Sequence, residues 1–219
     1  AVLSIDDFYL TQAERHALAA SVHPLFATRG VPGTHDTAML EVTLDRLSSL
    51  VDGEEAALPR FDKSTDDRAP EADWPVVAGP LDMIVLEGWC VGSRAQAAET
   101  LETPINDLER DEDPEATWRH YTNEALAQRY EPLFDRLDAL IFLAAPSFDA
   151  VYRWRLEQEQ KLASRTEGSA LMNEAGVARF IRFYERITVD NLAMLPGRAD
   201  VILTIDESHA VTDACYRES

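Results

Sequence analysis

The 219-residue chain carries 40 acidic and 20 basic side chains, a formal charge of −20 at pH 7 with histidine neutral. Such a surface repels phosphate backbones and anionic lipid, which excludes nucleic acid and membrane surfaces as default partners. With 46% hydrophobic and 27% charged residues the composition is that of a globular protein with a sizeable core, and two cysteines are too few for a disulfide scaffold.

The chain opens on a nearly continuous apolar run, Ala1–Ile5 (AVLSI), of the length and character of a buried strand. Thr11-x-x-Glu14 is a capping box and predicts a helix reaching about Val22. Thr34 or Asp36 can cap the next helix, which would turn Met39, Leu40, Val42, Leu44 and Leu47 inward. Met83–Leu86 (MIVL) is a second strand. Glu99 to Glu115 holds eight acids and one arginine and is expected to be a solvated acidic loop. Asp113-Pro114 supplies an N-cap and a first-turn proline for a helix reaching about Leu137. Ala139–Ala144 (ALIFLA) is a third strand, and Ser147 or Asp149 opens the helix after it. Asn173 opens another whose apolar face is Val177, Phe180, Ile181 and Tyr184, and Val201–Ile205 (VILTI) is the fourth strand.

Strands alternating with helices predict an α/β fold in a single domain, 1–219, with a mostly parallel sheet covered by helices on both faces. Ligands of such folds bind beyond the carboxyl ends of the strands. No apolar run approaches the roughly 18 residues of a membrane span. The start, Ala1 to Tyr9, lacks the basic segment of a signal peptide, and with so few cysteines a cytoplasmic setting is expected.

Asp6 and Asp7 follow the first strand. They read either as turn residues or as a general base with a supporting acid, able to take a proton from a hydroxyl or help hold a metal ion. Glu87-Gly88 ends the second strand, where a carboxylate can reach Mg²⁺ and a glycine admits a close neighbour. Cations are scarce, yet Arg29, Arg60, Lys63 and Arg68 fall on two Gly- and Pro-rich stretches, 23–36 and 58–74. They suit a small anionic substrate, or else pair with Asp62, Asp66 and Asp67. Arg153 and Arg155 each have a glutamate four residues on, Glu157 and Glu159, which predicts two surface ion pairs; on a helix folding over a site they would instead neutralise a transferring phosphoryl group. His35 reads as a substrate ligand, a base or a structural loop residue, and Cys90 as a small packing residue.

Six segments in order, SIDDFYLT (4–11), TRGVPGTHD (28–36), PRFDKSTDDR (59–68), LEGWCVG (86–92), YRWRLEQE (152–159) and FYERIT (183–188), resemble the D-glycerate 3-kinase-like family of P-loop small-molecule kinases, relatives of uridine kinase and pantothenate kinase. The resemblance implies transfer of a phosphoryl group from ATP, with Mg²⁺, to a hydroxyl of a small acid, D-glycerate first. Other acceptors, a nucleoside, a pantothenate-like acid or a sugar, stay open, as does a non-catalytic acid- or partner-binding role. It implies Asp6 as catalytic aspartate and metal ligand, Asp7 in support, and Glu87 as the acid of the Walker-B position. Arg29, Gly30, His35, Arg60, Lys63 and Arg68 would lie in an acceptor-binding excursion, 23–74, and Arg153 with Arg155 in a lid-like region, 147–172. The phosphate loop G-x-x-x-x-G-K-[ST] occurs nowhere in these residues. In the family it precedes the element that opens at Ala1, so the chain is expected to be N-terminally truncated. It should lack the central first strand and its loop, be poorly stable alone and hold ATP weakly.

Overall fold

The computed structural model describes residues 1–163 and 172–217. Strand β1 (Val2–Ser4) runs into a 3-10 turn, Ile5–Phe8, and then helix α1 (Gln12–Ser21). The predicted capping box forms: Glu14 N–H donates to Thr11 Oγ1 at 3.3 Å, and Thr11 N–H to Glu14 Oε2 at 2.8 Å. Helix α2 (Thr37–Ser48) is capped by Asp36, whose carboxylate accepts Met39 N–H at 2.9 Å. It buries Leu40 and Leu47, but Val42, expected inward, is exposed. Two residues along a helix is roughly 200° of turn, so Val42 stands opposite Leu40.

Strands β2 (Glu55–Ala57), β3 (Phe61–Asp62), β4 (Asp67–Arg68) and β5 (Val76–Ala78) form two antiparallel ribbons, β2 on β5 and β3 on β4. Strand β6 (Val85–Glu87) pairs in parallel with β1. Helix α3 (Asp107–Glu112) precedes Asp113-Pro114 and is unanticipated, while the helix expected from that pair begins three residues late as α4 (Thr117–Ala125). Ala116 adopts the left-handed conformation, φ 59°, which stops any helical path from Asp113 and restarts it at Thr117. Helix α4 continues through a π-helical turn, Leu126–Tyr130, into α5 (Glu131–Phe134). Strand β7 (Ile141–Ala144) and helix α6 (Phe148–Ala163) follow, Ser147 Oγ accepting Ala150 N–H at 3.2 Å. Part of the expected lid, 164–171, lies outside the described residues. Helix α7 (Glu174–Met194) is capped by Asn173 and buries Val177 and Ile181 as predicted, together with Phe183 and Ile187. Strand β8 (Val201–Ile205) turns back into an unanticipated strand β9 (Val211–Tyr216).

The chain divides into two compact units, Ala1–Glu102 with Glu115–Asp135, and Thr103–Pro114 with Arg136–Ser219. The first unit contains the parallel β1–β6 pair and both ribbons. Its core includes Leu3, Ile5, Phe8, Phe26, Leu40 and Tyr130. Cys90 is buried there as a packing residue, and burial pushes its thiol well above the usual range. In the second unit β7 pairs in parallel with β8, and β8 antiparallel with β9. The strand runs are less deeply buried than continuous apolar character predicted. Val2, Val85, Ile141 and Leu143 are exposed, because successive side chains of a strand point to opposite faces.

Of the eight acids in the stretch 99–115, six are exposed as expected, but residues 107–112 form α3, which pairs with α7 in the second unit. Glu109 on α3 is buried and paired with Arg186 of α7 through Nε–Oε1 at 2.7 Å and Nη2–Oε2 at 2.6 Å. Arg179 meets Glu112 at 2.6 Å, and Arg182 meets Asp107 at 3.3 Å. Arginines at 179, 182 and 186 share one face of a helix, and α3 presents a matching row of carboxylates. Among the described residues no helix is long and apolar enough to cross a membrane.

Candidate active site

Where β1 ends, Ser4 lies opposite Glu87 of β6, so both chains leave the parallel pair at the same end. Ile5 and Phe8 are buried and anchor the 3-10 turn between them, which leaves Asp6 and Asp7 half-buried at its rim. The loop 23–36 is stitched to the segment after this turn: Leu10 N–H donates to Thr34 O at 2.9 Å, and Asp36 N–H to Phe8 O at 2.7 Å. Asp7 fastens the other loop. Its carboxylate accepts Phe61 N–H at 3.1 Å and pairs with Arg60 Nη1 at 2.9 Å.

Asp6 is held differently. Tyr9 Oη–H donates to Oδ1 at 2.7 Å, and Lys63 Nζ donates to Oδ2 at 2.7 Å. Burial by itself would raise this carboxyl, but the bonds from Lys63 and Tyr9 outweigh it and hold Asp6 below its ordinary value. Asp6 is therefore a charged acceptor at neutral pH, with two donors fixing its orientation.

The four loop cations, Arg29, Arg60, Lys63 and Arg68, each meet a carboxylate here. Arg68 Nη2 reaches Asp36 Oδ2 at 3.1 Å, and Arg29 pairs with Asp66. Of the expected structural pairings only Arg29–Asp66 forms. Arg60, Lys63 and Arg68 select Asp7, Asp6 and Asp36, because the fold brings the two loops against the end of β1. Gly30 is buried with both backbone groups engaged, its N–H on Thr34 Oγ1 at 3.0 Å and its carbonyl accepting Trp89 Nε1–H at 3.0 Å. Gly88 satisfies a close approach, since a Cβ there would stand 2.3 Å from Ile5 Cγ2. His35 is buried and stacked on Tyr9 with ring centroids 4.5 Å apart, and burial lowers its pKa to about 4 against a smaller opposing pull from Asp6.

Three contributors escaped the sequence reading. Arg15 lies beneath the loops, donating to the carbonyls of Leu10, Ala27 and Asp66 and pairing with the Asp66 carboxylate at 2.9 Å. Phe61 packs edge-on against Tyr9, with the Arg15 and Arg29 guanidinium groups 5.8 and 5.5 Å from its ring centroid. Tyr130 hydrogen-bonds His35 from 95 positions away, a separation that no local pattern announces.

Glu87 is exposed and points no hydrogen bond at a described neighbour, while both oxygens of Asp6 are engaged. Among the described residues no group of three or more histidine, cysteine or acidic side chains is placed to hold a metal ion. A hard ion that takes one or two carboxylates and completes its shell with phosphate and water suits Glu87 as a ligand better than Asp6.

Arg153 and Arg155 belong to the second unit. Arg155 forms the predicted pair with Glu159 at 2.8 Å. Arg153 does not pair with Glu157. It meets Glu207 at 2.7 Å, and Glu157 pairs with Lys161 at 2.6 Å, because the loop after β8 supplies a carboxylate that the helix periodicity could not foresee.

The α/β arrangement, with acids at the end of a parallel strand pair and cation-bearing loops around them, is consistent with a P-loop-kinase-like fold. No family model matches the chain. Among curated proteins it is 34% identical over 192 residues to the chloroplastic D-glycerate 3-kinase of Arabidopsis thaliana, covering 84% of this chain and 39% of that one. It is also 34% identical over 195 residues to an uncharacterized kinase, mug58, of Schizosaccharomyces pombe, covering 83% of this chain and 66% of that one. A solved D-glycerate 3-kinase from Cryptococcus neoformans superposes with a TM-score of 0.81 at 27% identity, covering 99% of this chain and 79% of that chain. The chain belongs to the D-glycerate 3-kinase-like family, and it spans between about two fifths and two thirds of the length of these two curated relatives.

Proposed function

We propose that the protein transfers the terminal phosphoryl group of ATP to a hydroxyl of a small organic acid, D-glycerate being the lead acceptor and a phosphoglycerate the product. The observation that carries this reading is Asp6: a carboxylate held charged and oriented by Lys63 and Tyr9 at the end of β1. A hydroxyl that displaces one of these donors finds an acceptor for its hydrogen bond, and the proton passes to an Asp6 carboxylate oxygen as the hydroxyl oxygen attacks phosphorus. Asp7 keeps Arg60 and the 58–74 loop in place beside it.

Lys63 is the most accessible of the four loop cations, with 59% of its side chain exposed, and it offers the substrate carboxylate a charge that can exchange partners. A cation-lined acceptor site favours an acid over a neutral nucleoside. Glu87 would hold Mg²⁺, which supplies charge neutralisation on the phosphates. Arg153 and Arg155 enter this reading on the family likeness alone. Two free cysteines suit a reducing, cytoplasmic setting.

The test is ADP release by the intact protein with D-glycerate, uridine, pantothenate and a hexose as acceptors. D-glycerate is expected to give the highest kcat/KM, and Asp6→Asn to lower kcat by about 10²- to 10⁴-fold with a smaller effect on KM. Preference for uridine, or an Asp6→Asn enzyme as fast as its parent, overturns the assignment.

A further inference from the structure

Tyr130 closes the π-helical turn Leu126–Tyr130, a helix irregularity frequent at functional sites. Its hydroxyl is a junction: Gly33 N–H donates to it at 2.9 Å, and His35 Nδ1 lies 2.8 Å away. Both rings are buried, Tyr130 at 0% and His35 at 2% exposure, so each proton must find a partner inside the protein. The phenol has one proton to place. If it goes to Nδ1, the neutral imidazole carries its own proton on Nε2, and that single N–H is left without an acceptor among the described residues. If Nδ1 carries the proton instead, the phenol O–H and the Nε2 lone pair are both stranded in buried surroundings. The first arrangement strands one group and the second two, so the first is favoured. Burial keeps the imidazole neutral, with its pKa at about 4.

We propose that Tyr130 is a positioning residue that locks His35 in its Nε2–H tautomer, and that this buried donor is presented to an oxygen of the acceptor substrate bound against Asp6. Tyr9 ties the two places together, since its ring stacks on His35 and its hydroxyl bonds Asp6. A neutral N–H donor matches a hydroxyl or carboxylate oxygen and offers nothing to an ammonium group. The proposal rests on the kinase reading for the identity of its ligand, and the tautomer does not depend on it.

Nitrogen-15 spectra of the intact protein at pH 7 read the tautomer without substrate. A protonated Nε2 and a bare Nδ1 are expected, and a proton on Nδ1 overturns the proposal. Tyr130→Phe should turn the single tautomer into a mixture and raise KM for D-glycerate about tenfold with less change in kcat. His35→Gln keeps a donor at the Nε2 position and His35→Asn does not, so the Gln variant should retain the lower KM. Equal KM values in the two variants argue for a packing role and overturn the donor. In a titration with D-glycerate, shifts at both Lys63 Nζ and His35 Nε2 support the assignment. A shift at Lys63 alone overturns the donor role and leaves the kinase reading standing. Silence at both overturns the glycerate reading and the donor role with it.

Discussion

Lys63 Nζ lies 2.7 Å from Asp6 Oδ2 and joins the hairpin of β3 and β4 to the turn after β1. The lysine is more exposed than the aspartate, 59% against 28%, so the charged acceptor is fixed while its partner keeps access to solvent. In the proposed reaction that asymmetry would let one contact serve twice, holding Asp6 ionised before substrate arrives and offering the substrate a cation afterwards.

Lys63→Ala removes the strongest contribution that lowers the Asp6 carboxyl while leaving the burial that raises it. The Asp6 carboxyl should therefore titrate at a higher pH in the variant, and the acidic limb of kcat/KM for D-glycerate should move upward with it. Carbon-13 titration of Asp6 and the pH–rate profile check both. An unmoved or downward-shifted Asp6 titration contradicts the assigned cause.

His35 makes stability pH-dependent in a defined window. The folded imidazole stays neutral down to about pH 4 and the unfolded one protonates near 6.5, so between these values the unfolded state binds more protons. Stability contributed by the neutral ring is fully present above pH 6.5 and is lost as pH falls toward 4, about 3 kcal/mol over that span. Urea unfolding of the parent and of His35→Gln at pH 7 and pH 4.5 should show the larger acid-induced drop in the parent.

Arg15 has a side chain only 1% exposed and serves three carbonyls and one carboxylate. Arg15→Met keeps the bulk and strands those acceptors, which should cost about 3 kcal/mol, the low end for breaking a buried pair because Asp66 retains some solvent. A denaturant midpoint within error of the parent's would show that water replaces the guanidinium without penalty.

In the second unit Arg186→Met removes the guanidinium that bonds both oxygens of the buried Glu109 carboxylate, and it should destabilise by about 3 kcal/mol, the low end for breaking a buried pair because Ile105 N–H still donates to Oε2. The double replacement Glu109→Leu with Arg186→Met should recover most of that loss, since an apolar pair has no charge to desolvate. Equilibrium unfolding of the two single variants and the double variant gives the coupling directly. A double variant as unstable as Arg186→Met alone would contradict it.

Much of the local structure is legible because its causes are local. Thr11 and Glu14 satisfy each other's backbone three residues apart, Asp36 and Asn173 cap the helices they precede, and the apolar runs mark β1, β6, β7 and β8. The exceptions also have local causes of a kind that composition hides. Ala116 in a left-handed conformation delays the start of an expected helix to Thr117, and no residue type advertises that an alanine will adopt it. Strand β9 has no continuous apolar run because all of its residues are exposed.

The sequence by itself determined the kinase family, the acid pair after β1, and the placing of Arg29, Arg60, Lys63 and Arg68 on two loops, because each is a matter of residue type and spacing along the chain. Only the tertiary structure decided who pairs with whom. Lys63 could have met Asp62 and Arg68 Asp67, but chain reversal brings Asp6 and Asp36 to them instead. Within the acidic stretch Glu109 likewise reads as solvated until α7 delivers Arg186 to it across 77 positions. An ion pair depends on a few ångströms in space, and distance along the chain carries no such information once the loops close.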